Sequence, residues 1–306
     1  MKSQSFSQKS GFRLFLFSLP LLILVFVFAY LPLAGWIIAF FDYHPGVKLS
    51  DSTFVGLKYF TSIVSNPIQR QEILRVMTNT LGISFLGILF SPLPAVFALF
   101  LVEIKSNAFR KTVQTLTTLP NFISWVIVYS IAWAMLSVED GFVNRLLIAM
   151  NVIDTPINFL TATKHVWLTM TGYGIWKGLG WGAILYIASI TSIDREQYEA
   201  AIVDGAGRFQ SMWYITIPGI LPTYFVLLLL AIANIINNGM EQYYIFMNPM
   251  NKNSIEVLDL YVYLKGLVGL NISYSTAVGI LKSLISIILL FSANGLSKLV
   301  RKESIV

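Results

Sequence analysis

The chain has 306 residues, of which 56% are hydrophobic and only 12% charged, with a net charge of +6. Soluble domains carry about 25% charged residues, so a chain this apolar needs lipid as solvent for much of its surface and falls in the polytopic membrane class. It has no cysteine and only two histidines, His44 and His165; this excludes disulfides and thiolate metal centres and disfavours a histidine-rich metal site, and without a basic stretch interleaved with aromatics there is no case for a nucleic-acid partner.

The N-terminal tail, residues 1–13, carries Lys2, Lys9 and Arg13 and no acid. The first apolar run, 14–41, is uncharged and far longer than the 7–15-residue core of a signal peptide. No small-residue cleavage site follows it, so a retained first transmembrane helix is expected. A polar stretch from Asp42 to Arg75 contains the turn signal Pro45-Gly46. Val76–Val102 and Thr112–Val138 are the second and third spans, both uncharged. Between Glu139 and His165, Phe142, Val143, Leu146 and Leu147 fall at helical spacing, which predicts a short interfacial helix. The fourth span, Val166–Ile193, contains one charge, Lys177. The fifth lies within Phe209–Met240, its membrane part starting near Gly219, and the sixth, about Ser275–Ser297, contains Lys282.

Backbone groups in lipid must bond within their own segment, so each span should be helical. The expected fold is all-α with six transmembrane helices: a core membrane domain over 76–297 with an extra first span. Pro20, Pro32, Pro92, Pro94, Pro120 and Pro222 mark kinks or helix ends. Lys and Arg near the helix ends set orientation. The N-terminal tail, the loop with Lys105, Arg110 and Lys111, and the tail 298–306 with Lys298, Arg301 and Lys302 against Glu303 fall on one side. That side, which also holds the loop from Asp194 to Arg208, is expected to be cytoplasmic.

The segment 194–218 is the most informative in the chain. Arg195 to Ala206 is rich in helix formers, Asp194 suits an N-cap, and Gln197 completes a capping-box pattern. Tyr198, Ala201, Ile202, Phe209 and Trp213 give an apolar side. Gly205 and Gly207 permit a sharp bend, and a second short helix is expected to reach about Ile217 before Pro218. As a generic amphipathic loop this would be an interfacial hairpin. The spacing is more specific than that: Glu199-Ala200-Ala201, three residues, Gly205, nine residues, Ile215, one residue, then Ile217-Pro218, with the triplet Asp204-Gly205-Ala206 inside it. It resembles the cytoplasmic coupling loop of bacterial ABC importer permeases, although Ile217 stands where that pattern usually has leucine.

The resemblance extends along the chain. Tyr30-Leu31-Pro32 and Ala39-Phe40-Phe41-Asp42-Tyr43 near the start, and Asn238-Gly239-Met240-Glu241-Gln242, Met247-Asn248-Pro249 and Glu256-Val257-Leu258-Asp259 near the end, are similar to the carbohydrate importer branch that serves oligosaccharides and polysaccharide fragments. The resemblance implies the type I importer fold, a second permease subunit completing a heterodimer, two cytoplasmic ATPase subunits, and an extracellular or periplasmic sugar-binding protein. It also implies a bacterial cell membrane with both termini cytoplasmic. ATP and magnesium would sit on the partner ATPase, with no cofactor on this chain and no catalysis by it. The coupling residues implied are Glu199, Ala200, Ala201, Asp204, Gly205, Ile215 and Pro218.

Sugar sites combine aromatic faces with hydrogen-bonding groups in an apolar cleft. The spans offer Asn79 on the second, Asn121, Trp125 and Tyr129 on the third, Tyr173, Trp176 and Lys177 on the fourth, and Asn234, Asn238, Glu241 and Gln242 at the end of the fifth. Each has a plainer reading. Trp and Tyr form belts at membrane interfaces, and amides bond helices to one another. Lys177 is a candidate for a sugar carboxylate or hydroxyl, against simple snorkelling. Gly178, Gly180 and Gly182 are not a phosphate loop, since no strand precedes them; they suit close helix packing. A membrane-embedded enzyme would need clustered catalytic carboxylates or histidines, and none is convincing. An ion-coupled carrier usually places an acid within a span, and the six predicted spans hold none. A non-carbohydrate solute remains the alternative cargo.

Overall fold

A computed structural model describes residues 3–160 and 163–301. Lys2, Lys302 and Glu303, part of the expected charge bias, lie outside them. Among the described residues the only β pairing is an isolated bridge between Phe41 and Phe54; the rest of the ordered backbone is helical, as lipid demands. The helices used below are α1 (Arg13–Phe40), α2 (Pro67–Val102), α3 (Asn107–Phe122), α4 (Trp125–Leu136), α5 (Val166–Thr191), α6 (Arg195–Val203), α7 (Arg208–Ala233), α8 (Glu241–Phe246) and α9 (Ile272–Gly295).

The chain divides into two compact units, Met1–Pro67 with Val262–Leu281, and Ile68–Tyr261 with Lys282–Val306. In the first, Ala39, Ala277 and Ile280 are buried with Trp36, Phe40, Tyr59 and Phe60 packed around them. The polar stretch after α1 is anchored there. The Tyr59 hydroxyl donates to the Asp42 carboxylate, and the Tyr43 N–H donates to Ser273 Oγ at 3.0 Å. The Tyr59 bond holds the Asp42 carboxyl below its usual value, while burial, then that bond, pushes Tyr59 up to about 12. Asp42 therefore contributes stability above its ordinary value of 3.8, lost as pH falls through its lower folded value. Tyr59 contributes below its ordinary value of 10 and lets go as pH rises through about 12. Amide-exchange protection factors of residues 42–59, corrected for the intrinsic pH dependence of exchange, should accordingly be highest across neutral pH and fall at both extremes; protection that stays constant as the carboxyl is titrated with acid would contradict this.

In the second unit α2 and α5 cross closely, and Ala95, Ala98, Leu99, Ala183, Tyr186, Ile190 and Ile220 form a buried cluster between α2, α5 and α7. Gly180 makes the approach to α3 possible: a Cβ there would run into the backbone of Thr117 and Thr118. Gly180→Ala should cost about 1–3 kcal/mol by overpacking, read as a lower thermal midpoint in detergent. Gly182 lies close to the Pro94 side chain, a looser contact in which a Cβ would stand 3.2 Å from the ring.

Among the described residues four helices are long and apolar enough to cross a membrane, α1, α2, α7 and α9, and there are five if α3 and α4 count as one span. The expected third span is not straight. It breaks between α3 and α4 with a 107° bend. Pro120 lacks an N–H to continue the helix, and Ser124 caps the new one, its Oγ accepting from the Ile127 N–H. Helix α5 has 26 residues, about 39 Å, but falls short in apolarity because of its glycines, its tryptophans and Lys177. A helix surrounded by other helices need not be greasy all round. A short helix is present at Phe142–Ala149, where one was expected, and its Asn144 is buried, bonding to the carbonyls of Ser137 and Ile157.

Candidate functional site

Two features stand out in the second unit. The first is the elbow joining α5 to α7. Asp194 Oδ1 accepts from the Glu196 N–H at 3.0 Å, capping α6; the Gln197 N–H goes to the Asp194 carbonyl instead. At the other end Ala206 N–H bonds to Ala201 O at 2.8 Å and Gly205 N–H to Ile202 O at 3.0 Å. This is a Schellman closure, which needs its pivot residue in the left-handed region, and Gly205 has φ +79°. The second arm is not a separate short helix as expected: α7 runs unbroken from Arg208 through the span. A wide π turn over Met212–Thr216 precedes Pro218 and absorbs the missing proline N–H.

The elbow touches the bundle through Tyr198, whose hydroxyl lies 3.0 Å from Thr216 Oγ1 on α7. Its second arm packs Met212 and Ile217 against the buried cluster, and a cavity of about 550 Å³ lined by Leu99, Glu103, Ile190, Tyr198, Glu199 and Met212 among others opens beside it. The apolar side splits accordingly. Tyr198 turns inward, whereas Ile202, Val203, Phe209 and Trp213 are exposed by 67–87%. Glu199, Ala200, Asp204, Gly205 and Pro218 are exposed, while Ala201 and Ile215 are half-buried. An acid and a hydrophobic patch are thus presented on a rigid hook, a form suited to a partner's groove.

The second feature is a cavity of about 350 Å³ among α2, α5 and α8, lined by Ser84, Thr171, Gly174, Gly178, Asn238 and Gln242 with apolar neighbours. Among the described residues no charged side chain lines it. Ser84 gives its only proton to the Ile235 carbonyl at 2.6 Å, so it can only accept from Asn238 Nδ2, 2.8 Å away. That fixes the amide with its nitrogen on Ser84 and its oxygen turned away from it. Asn238 Oδ1 and Thr171 Oγ1 are both buried and have no hydrogen-bond partner among the described residues. Buried polar atoms are rarely orphaned, so such a pair marks a place for a ligand group or water. Gln242 donates to the Met170 carbonyl at 2.7 Å. Beside it lies an almost wholly apolar cavity of about 450 Å³ with Tyr173 and Trp176 in its wall; the Tyr173 hydroxyl is also buried and unpartnered there. Phe246 packs its ring 4.8 Å from Tyr173 and 5.1 Å from Tyr129.

The other predicted residues lie elsewhere. Asn79 is buried and spent: it donates to the carbonyls of Asn253 and Glu256, and accepts from Trp167. Lys177 donates to the carbonyls of Pro120 and Asn121, with its ammonium 5.5 Å from the Trp125 ring centre. It is a strut across the α3–α4 bend, and Asn121 supplies backbone rather than its amide. Asn234 bonds back to Leu230 on its own helix, and Glu241 is exposed. Lys282 is paired with Asp259, so the acid expected in no span reaches one from the segment after α8. Thr171 escaped notice in the sequence; its step to Gly174 and Gly178 along one helix face was the available signal.

The family described as binding-protein-dependent transport system inner membrane component matches residues 84–302. The chain is 40% identical over 293 residues to Protein LplB of Bacillus subtilis (strain 168), covering 95% of this chain and 90% of that one. It is 39% identical over 293 residues to the polygalacturonan/rhamnogalacturonan transport system permease protein YteP of the same organism, covering 95% and 89%. A crystal structure of a bacterial alginate ABC transporter in complex with its alginate pentasaccharide-bound periplasmic protein superposes with a TM-score of 0.85 at 32% identity, covering 97% of each chain. The chain therefore belongs to the family of binding-protein-dependent transport system inner membrane components, the membrane subunits of ABC importers.

Proposed function

We propose that the chain is one permease of an ATP-driven importer of oligosaccharides or polysaccharide fragments, working in the bacterial cell membrane with both termini in the cytoplasm. A second, different permease completes the pathway, two ATPase subunits bind beneath, and an extracellular or periplasmic sugar-binding protein delivers the cargo. ATP and magnesium are held by the ATPases; this chain supplies pathway and lever. The observation that carries this reading is the elbow: a capped, Schellman-closed hook with Glu199 and an exposed apolar patch, tied to the bundle at Tyr198. When the ATPases close on ATP, their grooves move the hook, and the cavity switches its opening. Direction follows only if the two states differ in affinity for ATP and for the loaded binding protein.

One relative is named for polygalacturonan and rhamnogalacturonan transport, and the structural neighbour for import of the acidic polysaccharide alginate, which supports a polysaccharide fragment here. The Asn238 cavity is uncharged and offers an amide oxygen and a hydroxyl, groups that pair with pyranose hydroxyls. An ion-coupled mechanism finds no support at Asp259, whose carboxylate is occupied by Lys282 and by the Gly239 N–H. The test is uptake of radiolabelled oligogalacturonides and alginate oligosaccharides by cells expressing the chain with its partners. Uptake lost on ATP depletion and indifferent to ionophores supports the reading; uptake abolished by a protonophore at constant ATP contradicts it.

A further inference from the structure

The Asp259–Lys282 pair lies in an unusual place. Lys282 sits on α9 and Asp259 on the helical turn Leu258–Tyr263, and their side chains are only 16% and 20% exposed. One carboxylate oxygen takes the Lys282 ammonium. The other accepts the Gly239 N–H at 2.8 Å. Gly239 is in the left-handed region, φ +72°, in the non-helical turn after α7. The residue just before it is Asn238, which lines the cavity and whose amide oxygen is buried with no hydrogen-bond partner among the described residues.

We propose that Asp259 and Lys282 are positioning residues for cargo binding: the ion pair straps the Asn238–Gly239 turn so that Asn238 Oδ1 meets a saccharide hydroxyl. The inference rests on the reading of that cavity as the cargo path. The Asn238 side chain is held by Ser84 and by the Tyr243 hydroxyl, and the backbone immediately after it is held by Asp259. Removing the backbone point leaves only side-chain bonds, about which a flexible glycine-containing turn can rotate. Lys282 supplies the opposite charge that a largely buried carboxylate needs beside it. A buried ion pair is replaceable by apolar residues as far as stability goes. What leucine cannot replace at 259 is the acceptor for the Gly239 N–H, so the positioning role separates from a merely structural one.

Two double variants of the full chain, in the assembled transporter, make the separation. Asp259→Leu with Lys282→Met removes the charges and the acceptor. Asp259→Asn with Lys282→Met removes the charges but leaves an amide oxygen for Gly239. The first should raise the KM for labelled oligogalacturonide uptake about tenfold with maximal rate retained, the worth of one misplaced hydrogen bond; the second should stay near native. A nitroxide on Met240→Cys, unique in a chain without cysteine, should become mobile in the first and not in the second, whatever the cargo. A native KM and an immobile label in the leucine variant, or equal losses in both, would overturn the strap. Asn238→Ala in the native background tests the cavity itself. If it raises KM while the leucine variant does not, only the strap fails; if it leaves KM unchanged, the cavity reading fails first and the strap with it.

Discussion

Gly205→Val is expected to lower uptake, and the stimulation of ATP hydrolysis by cargo, tenfold or more, while the chain still inserts and accumulates in the membrane. The space around Gly205 is open; a Cβ there would meet nothing within 4 Å. The penalty is conformational. At φ +79° a β-branched residue pays about 1–3 kcal/mol in strain, comparable to the worth of the two Schellman bonds that the pivot allows. The closure would open, and Ile202 and Val203 would leave the presented face while Glu199, one turn earlier, lost its rigid support. Gly205→Asn should retain much of the activity, because asparagine tolerates the left-handed region. Glu199→Ala should give a similar loss without disturbing the turn. Membrane fractionation and ATPase assays of the assembled transporter check all three; normal transport in both Gly205→Val and Glu199→Ala would refute the lever.

The largest stability effect is expected at Arg75. Its guanidinium meets the Glu256 carboxylate at 2.5 Å and donates to the Asn253 carbonyl at 3.1 Å. The Glu256 side chain is only 4% exposed. Arg75→Met strands that carboxylate, a loss of about 3–5 kcal/mol. The same corner holds Asn79, Trp167 and the Thr80 hydroxyl that accepts the Leu258 N–H, so local unfolding should spread through residues 253–258. The double variant Arg75→Met with Glu256→Gln should recover most of the loss. Thermal midpoints in detergent and hydrogen exchange over 253–258 would show it; an unchanged midpoint for Arg75→Met would contradict the burial argument.

Much of this molecule was legible because membrane and elbow leave strong local marks. Uncharged runs of lipid-spanning length identified α1, α2 and α7, and the spacing from Glu199 to Pro218 identified the elbow. The reason for glycine at 205 became visible only as a φ angle. The hidden parts are those decided at long range. Pro120 announced a break in the third segment, but the 107° bend is braced by Lys177, 56 residues from the Asn121 carbonyl it holds. Asn79 looked like a free intramembrane amide, yet its partners are backbone carbonyls more than 170 residues away. Asp259 lay outside every apolar run, so no window could place it beside Lys282. Within the candidate cavity, Asn238 and Gln242 were foreseeable as amides near the membrane; Thr171 was not, since a lone hydroxyl on a helix usually bonds its own backbone.

The account turns on the elbow being cytoplasmic and seated in a separate ATPase. Val203, 87% exposed on the presented face, can be changed to the only cysteine of the chain. With intact cells, a membrane-impermeant maleimide should leave Val203→Cys untouched, label it after permeabilisation, and a short bifunctional reagent should then join it to the ATPase subunit. Labelling from outside intact cells would place the hook on the wrong face and contradict the mechanism.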